Sequence, residues 1–354
     1  MKKLLSFLII FLLVVFTWNV IIGHSIMFRP FFEKTENVPS FEIEKRLLQG
    51  TEGKSSFQTD RNGLNNDDSL YQKEGCYSVI VLGDSYTESL QVERKENFCS
   101  LLMQKMNKNS FKCNIFNLGI SGLSLADYIA FADRYKKEYN PDLLIVQVTE
   151  SDFFTDATAQ YKLIHINSDQ NGYFIEENES YEGGLQKLLT RIYKPLDDRE
   201  RFLTFLPFLE YSKMKAEQLS SSQIQNHDHT EIKKGKVYNT SLLNWELQRL
   251  KEVYKIPVVL LYLPTTPVIA NGVVEQTEDL FLPVLSEQVK KYGITLVNLE
   301  DSFNENYLLN KTLPRGFNNT APGEGHLNQT GHALVAQELS KVIPILLQEE
   351  ENAL

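Results

Sequence analysis

Length, composition and charge indicate a globular protein and exclude some partners. The chain has 354 residues, of which 42% are hydrophobic and 23% charged, and it carries a net charge of −10 at pH 7. This length allows one large domain or two smaller ones with ample core. An acidic chain without a basic stripe is not expected to bind nucleic acid. The three cysteines (Cys76, Cys99 and Cys113) lack metal-ligand spacing, and at most one disulfide can join them.

The N-terminus carries a targeting signal. Two lysines precede the apolar run Leu4–Phe16, which continues through Val20-Ile21-Ile22. About nineteen residues at 1.5 Å each span ~29 Å, close to the hydrocarbon thickness of a bilayer. We expect residues 1–25 to form a transmembrane helix that anchors the chain in the cytoplasmic membrane, with the body periplasmic or extracellular. A cleaved signal peptide, with Gly23-His24-Ser25 as a poor cleavage site, is the alternative and would make the protein secreted.

Residues 26–75 form a lead-in rather than a domain. The segment is polar, with turn residues at Gly50, Gly53 and Gly63 and the run Asn65-Asn66-Asp67-Asp68. We expect it to be extended and loop-rich and to pack along the main domain, which covers residues 76–350.

A serine follows the first predicted strand of that domain. The apolar run Tyr77–Leu82 stops at Gly83-Asp84-Ser85, so a buried strand delivers Ser85 to a tight turn that opens a helix. Open α/β sheets bind their ligands at the carboxyl ends of their strands. Gly83 would let the backbone turn without a Cβ clash, as an exposed nucleophile requires. The alternative is a plain strand-to-helix turn in which Ser85 is the helix N-cap.

Strands and helices alternate on either side of a long insertion. Strands at Cys113–Asn117 and Leu143–Thr149 alternate with helices near Arg94–Asn107 and Leu125–Tyr139, which predicts a parallel, doubly wound sheet. The same rhythm resumes in four elements after the insertion: Ser241–Tyr254, Pro257–Leu263, Leu280–Tyr292 and Thr295–Leu299.

The insertion, residues 153–240, reads as a lid or substrate platform over the carboxyl edge of the sheet. Tyr161–Ile166 and Tyr173–Ile175 flank Asn171-Gly172, which predicts a hairpin. Further on, His227 and His229 could chelate a metal, but no third ligand is nearby, and we interpret them as exposed loop residues.

A glycine-flanked histidine precedes the last helix, which is predicted at Ala333–Val342. Nothing in the local pattern of Gly323–His332 requires an imidazole at His326, and a neutral imidazole is the natural base for a serine hydroxyl near pH 7. His332 is interpreted as structural. Asn328 or Thr330 can cap the helix.

Four blocks of this sequence resemble the signatures of the SGNH (GDSL-type) hydrolase superfamily: G-D-S, N-L-G-I-S-G, S-D and G-H-L-N-x-x-G-H. The resemblance covers roughly residues 77–152 and 255–347. It implies a three-layer α/β/α sandwich, flavodoxin-like, with Ser85 as nucleophile, His326 as general base, and the backbone N–H groups of Ser85 and Gly122 as oxyanion donors. The resemblance implies an enzyme that needs no cofactor. With its expected membrane anchor, the chain is similar to bacterial envelope enzymes that add or remove acyl groups on glycans.

Two departures from the family pattern concern the oxyanion hole and the acid. The family has asparagine before the aspartate of the third block, where this chain has Ser151 before Asp152. A serine hydroxyl can donate over a shorter reach, and loss of one oxyanion donor typically costs ~10²–10³ in rate. The usual aspartate three residues before the histidine is Gly323, while Glu324, at a two-residue offset, could orient the imidazole or be a solvated loop carboxylate.

Three functions fit these residues. The first is an esterase that removes O-acyl groups, acetyl foremost, from envelope or exported polysaccharide through an acyl-serine intermediate. The second is an O-acyltransferase with the same site, and the third a non-catalytic glycan-binding or scaffold protein that retains the fold. The sequence gives no indication of oligomeric state.

Overall fold

The structure, a computed structural model, describes most of the predicted main domain and parts of the chain before it. The described residues are 3, 6–14, 45–49, 52–72, 75–109, 111–160, 162, 164–178, 238–265, 267–270, 273–275, 279–317, 320 and 323–353. The apolar pattern of the insertion also predicts helical segments at Leu185–Tyr193 and Phe202–Met214, and these lie outside the described residues, as do His227 and His229.

The strands are β1 (Lys45–Gln49), β2 (Lys54–Gln58), β3 (Tyr77–Leu82), β4 (Cys113–Asn117), β5 (Leu143–Val148), β6 (Ile164–Asp169), β7 (Gly172–Glu177), β8 (Val258–Tyr262), β9 (Val268–Ala270), β10 (Val273–Glu275) and β11 (Thr295–Asn298). The helices are α1 (Ser85–Glu88), α2 (Phe98–Lys108), α3 (Leu125–Ala130), α4 (Ala132–Tyr139), α5 (Glu150–Phe154), α6 (Thr240–Tyr254), α7 (Phe281–Lys291), α8 (Glu300–Asn310) and α9 (Gln329–Ala353). Short 3-10 turns cover Asp68–Gln72 and Arg94–Glu96.

A five-stranded parallel sheet in the order β11-β8-β5-β3-β4 forms the centre of the domain. Its inner strands are predominantly apolar because both faces are covered. Ile80 and Leu82 point into one core with helices α3, α4, α6 and α7, while Val79 and Val81 point into a second core with α2 and α9. This alternation produces the three layers, and the predicted α/β class with a parallel sheet is confirmed.

The strand order places a crevice between β3 and β5. The chain runs from β3 outward to β4 and then returns across β3 to β5, so the connections leave these two neighbours in opposite directions. Such a switch point is where doubly wound sheets bind ligands, at the carboxyl ends of the strands. Ser85 follows β3 and Ser151 follows β5, so both lie at this edge.

Two antiparallel hairpins lie outside the sheet. Strands β6 and β7 pair as predicted, but their register pairs Asp169 with Gly172, so the two-residue turn is Gln170-Asn171 rather than Asn-Gly. Strands β1 and β2 pair within the segment predicted to be a loop-rich lead-in. The turn between β1 and β2 contains Glu52, which becomes important at the site.

Several predicted boundaries differ from the structure. The helix expected at Leu125–Tyr139 is two helices separated at Phe131. The last helix continues through Pro344, because Ile343 and Leu347 on either side of it are buried in the second core. Helix α8 was not expected, since its sequence is polar and Phe303 is its one buried residue.

The described residues bear on two expectations, at most one disulfide among the cysteines and a helix that spans the membrane. All three cysteines lie in that part, and none is disulfide-bonded. No helix within the described residues has the length and apolar character needed to span a bilayer.

Candidate active site

Ser85 is the first residue of helix α1, directly after the turn that ends β3. Asp84, not Ser85, is the N-cap, and its carboxylate accepts a hydrogen bond from the Tyr86 N–H at 2.9 Å. The Ser85 hydroxyl is therefore not used as a cap. A Cβ on Gly83 would lie 2.0 Å from Thr87 Oγ1 and 2.7 Å from Gln147 Oε1, so close approach by these side chains requires glycine there.

His326 reaches Ser85 from the loop before helix α9. Its Nε2 lies 2.8 Å from Ser85 Oγ, across 241 positions of sequence. The loop is fixed by Asn328, whose Oδ1 caps α9 through the Gly331 N–H at 3.1 Å and whose Nδ2 donates to the carbonyls of Leu313 and Gly316 at 2.9 and 3.0 Å. The sequence-predicted pair of serine and histidine is thus brought into hydrogen-bond contact.

The carboxylate on the other side of the imidazole belongs to Glu52. Its Oε2 contacts His326 Nδ1 and also accepts the His326 backbone N–H at 3.2 Å. A Cβ on Gly325, which has a φ of +79°, would lie 2.1 Å from Glu52 Oε1, so glycine is required there. Glu324, in contrast, is exposed and makes no hydrogen bond or ion pair with any described residue. The expectation that Glu324 orients His326 is therefore corrected to Glu52.

The Glu52–His326 contact determines the protonation of the pair. Burial raises the pKa of Glu52, but hydrogen bonds from His326 and the positive charges of His326 and Arg315 outweigh this and lower it below its ordinary value of 4.5. An ionised Glu52 accepts a hydrogen bond from the Nδ1–H of His326, which leaves the Nε2 lone pair facing the Ser85 hydroxyl. The tautomer that can deprotonate serine is the one this contact stabilises.

Two more carboxyl groups lie buried at the same strand ends. Burial raises the pKa of Asp84. Burial also raises the pKa of Asp152, to about 7, with a further contribution from the charge of Asp84. Both shifts have the same cause, because burial at these strand ends disfavours the charged form of a carboxyl group.

Gly122 lies in the loop after β4, which is held against the nucleophile helix. The Ile120 N–H donates to the Gly83 carbonyl at 3.1 Å, and Glu88 Oε2 accepts the Ser121 N–H at 2.9 Å. Neither the Gly122 N–H nor the Ser85 N–H has a hydrogen-bond partner among the described residues. Gly122 is exposed, and a Cβ there would meet nothing within 4 Å. Both donors predicted for the oxyanion therefore remain available.

The Ser151 hydroxyl is already engaged. It lies 2.9 Å from Thr149 Oγ1, which itself donates to Asp152 Oδ2 at 2.8 Å. Because Thr149 has a single hydroxyl proton, Ser151 is the donor in their contact. Ser151 is exposed at the start of α5, and its hydroxyl proton is directed to Thr149.

His332 has the structural role expected of it. It is 1% exposed, its ring stacks on Phe98 at 5.9 Å, and its Nδ1 accepts the Phe98 N–H at 3.3 Å. Burial, with a smaller contribution from the charge of His326, lowers its pKa to about 3, so it stays neutral.

Sequence reasoning missed Glu52, which lies 274 positions from its partner. The one local signal was its place between Gly50 and Gly53, which marks a turn and not a carboxylate role. The assembled row of hydroxyl, imidazole and carboxylate has the geometry that activates a serine nucleophile.

Comparisons with known proteins give no family assignment. No protein-family profile matches the chain, and no curated protein matches it. Solved structures similar to the chain include an acetylxylan esterase from Geobacillus stearothermophilus (13% identity, 76% of this chain and 95% of the other covered, TM-score 0.38). They also include a family 3 carbohydrate esterase from Clostridium thermocellum (10%, 77% and 98%, 0.38) and the psychrotrophic esterase EstA from Pseudoalteromonas sp. (13%, 76% and 98%, 0.37). We draw no conclusion from likenesses this distant.

Proposed function

We propose that the protein is a serine esterase that removes O-acyl groups, acetyl groups foremost, from envelope or exported polysaccharide. The observation that supports this most directly is the 2.8 Å contact between Ser85 Oγ and His326 Nε2, with Glu52 on the opposite ring nitrogen. The glycan substrate class rests on the resemblance of the four sequence blocks and on the expected location outside the cytoplasm.

The mechanism follows from these contacts. His326 Nε2 takes the proton of the Ser85 hydroxyl as Oγ attacks the ester carbonyl, and Glu52 stabilises the imidazolium that forms. The N–H groups of Ser85 and Gly122 donate to the oxyanion. His326 then gives the proton to the departing sugar alkoxide. Water, deprotonated by His326, then attacks the acyl carbonyl. As the bond to Ser85 Oγ breaks, His326 returns that proton to Oγ, and the acyl group leaves as a carboxylic acid.

Acyl transfer to a sugar hydroxyl would use the same residues and differs only in the acceptor of the acyl group. A non-catalytic role is less well supported, because a scaffold has no need for a half-buried carboxylate, an imidazole and a hydroxyl in a hydrogen-bonded row. No contact of the described residues favours either alternative over the esterase.

We further propose that the N-terminal helix anchors the protein in the cytoplasmic membrane, with the site outside. Residues 6–14 are helical, and Phe7–Val14 expose 47–67% of each residue in the isolated chain. A lipid environment would cover this apolar surface. Retention of the full-length protein in membranes after alkaline carbonate extraction would support an anchor, whereas release of a shortened protein into the medium would support a cleaved signal.

The esterase is tested on full-length protein in detergent. We expect wild type to release p-nitrophenol from p-nitrophenyl acetate and to be labelled by a fluorophosphonate, and both signals to disappear in Ser85→Ala and His326→Ala. Ser340→Ala, which removes a hydroxyl that donates to the Gln337 carbonyl within α9, is the matched control. Turnover that rises when an oligosaccharide acceptor is added, with acyl groups found on it, would identify a transferase instead. Labelling that persists in Ser85→Ala would refute the proposal.

A further inference from the structure

Arg315 is a buried cation beside the site. It is 8% exposed, and in the described part of the chain no carboxylate forms a salt bridge with it. Its Nη2 donates to the Pro264 carbonyl at 2.8 Å, while its Nε is buried without a hydrogen-bond partner among the described residues. Buried charges are normally paired, and an unpaired buried donor costs stability. An arginine placed in this way requires a reason other than stability.

The guanidinium is directed at Tyr86, the residue after the nucleophile. Arg315 Nη1 donates to the Tyr86 hydroxyl, and the guanidinium carbon lies 4.8 Å from the centre of the Tyr86 ring. Burial raises the pKa of Tyr86, so the hydroxyl stays neutral and keeps its proton. That hydroxyl donates to the Gly325 carbonyl at 3.3 Å, and Arg315 Nη1 lies 3.5 Å from the same carbonyl.

The Gly325 carbonyl belongs to the peptide bond that leads into His326, so these contacts act on the backbone of the base. The same loop is held on the other side, because the Gly316 N–H donates to the His326 carbonyl at 3.2 Å and Arg315 pairs with Leu327 in an isolated antiparallel bridge. The Tyr86 ring also lies 5.2 Å from the imidazole. Helix α1, which begins at Ser85, and the loop that contains His326 are therefore joined through the side chains of Arg315 and Tyr86. Neither side chain forms a hydrogen bond with the Ser85 hydroxyl.

We propose that Arg315 and Tyr86 are positioning residues for the esterase: together they hold the Gly325–His326 peptide so that the imidazole stays on Ser85. This inference rests on the proposed function. It assigns Arg315 a role in activity rather than in folding alone.

The Arg315 charge adds an electrostatic effect on the Glu52–His326 pair. The charged or titratable groups that act on this pair within the described residues are Arg315, Tyr86, Asp84 and the neutral His332. Of these, Arg315 is the cation, and its charge lowers the pKa of Glu52. Removing that charge lets Glu52 take up a proton at a higher pH, and a protonated Glu52 no longer stabilises the imidazolium.

Three variants separate the effect of the hydrogen bonds to the Gly325–His326 peptide from the effect of the Arg315 charge. Arg315→Met removes both the charge and the donors and is expected to lower kcat by about 10²-fold, the cost of a displacement of about 1 Å in a catalytic group. The acid limb of its pH–rate profile is expected to move to higher pH. Arg315→Lys keeps the charge but not the paired donors, so its acid limb should return to the wild-type position while kcat stays reduced. Tyr86→Phe removes only the hydroxyl and should lower kcat without moving the acid limb.

The experiment measures p-nitrophenyl acetate hydrolysis between pH 4 and 9 with full-length protein. Arg249→Met, which removes an exposed arginine from α6, is the control and should match wild type. Wild-type kcat in Arg315→Met, or an acid limb that is identical in Arg315→Met and wild type, would overturn the proposal. If Arg315→Met does not fold, wild-type kcat in Tyr86→Phe would overturn it. Activity remaining in Ser85→Ala would instead reject the esterase itself.

Discussion

The assignment of the acid can be tested by exchanging one oxygen for nitrogen. Glu52→Gln removes the negative charge beside His326 and keeps the length of the side chain. The two side chains are 22% and 26% exposed, a half-buried setting in which an effective dielectric of about 20 applies, so opposite charges about 4 Å apart attract by about 4 kcal/mol. This attraction exists only once His326 is protonated, in the transition state. At about 1.36 kcal/mol per tenfold, its loss predicts a fall in kcat of about 10³-fold.

The matched control is Glu324→Gln, which makes the same chemical change at the position that sequence alone indicated. Because Glu324 is exposed and has no partner among the described residues, we expect its kcat to stay within about twofold of wild type, as for a surface charge. Both variants are compared by steady-state hydrolysis of p-nitrophenyl acetate and by the rate of fluorophosphonate labelling. Ser85→Ala serves as the inactive control that defines the background. Circular dichroism and thermal unfolding verify that each variant is folded.

The opposite ranking would refute the reasoning. If Glu324→Gln lost activity while Glu52→Gln retained it, the acid would belong to the loop of His326 and the β1–β2 hairpin would have no part in the reaction. Equal, near wild-type rates in both would mean that His326 acts without a carboxylate.

Three further predictions concern the same site. Gly325→Ala should lower kcat at least tenfold more than Gly323→Ala. Both glycines have φ near +80°, but a Cβ at position 325 would lie 2.1 Å from Glu52, whereas one at position 323 would meet nothing nearer than 3.6 Å. Equal kcat values in the two variants would contradict the clash with Glu52. Ser151→Ala should change kcat by less than about threefold, since its hydroxyl is engaged with Thr149, and a loss of ~10²-fold would identify it as an oxyanion donor after all. Because the pKa of Glu52 is lowered in the folded state, it stabilises the fold at pH above about 4.5, and this contribution is lost as the pH falls through the lowered value. In urea unfolding, the stability gap between wild type and Glu52→Gln should therefore narrow below pH 4.5, and a gap that widens there would be evidence against the sign of the shift.

The parts of the fold that the sequence predicted are those encoded by local patterns. Val79–Leu82 and Leu143–Val146 are unbroken apolar runs because both faces of a parallel sheet are covered, so their composition indicated buried strands. Their order along the chain, with helices between them, was enough to place Ser85 at a strand end. His326 could be identified because the loop around it gave no packing reason for an imidazole.

Glu52 could not be predicted in the same way, since its role depends on a long-range contact. Among the strands that the structure describes, β1 and β2 pair only with each other, so neither the central sheet nor its periodicity places Glu52. Glu324 was the nearer candidate in sequence, but a residue two positions before His326 is not thereby on the Nδ1 side of the ring. Tyr86 was visible beside Ser85, yet its partner Arg315 lies 229 positions away.

The position of Glu52 makes the activity of the site depend on how the hairpin docks. Gly53 has a φ of +65°, and a Cβ on it would lie 2.1 Å from the Gln91 carbonyl oxygen, so the turn approaches the loop after α1 as closely as backbone permits. Ser55 Oγ donates to the Leu90 carbonyl of that loop. The loop that receives the hairpin begins two residues after the helix that Ser85 opens. The same short stretch of chain therefore sets the nucleophile and anchors the carboxylate, which explains how a segment outside the sheet can hold the Glu52 carboxylate against His326.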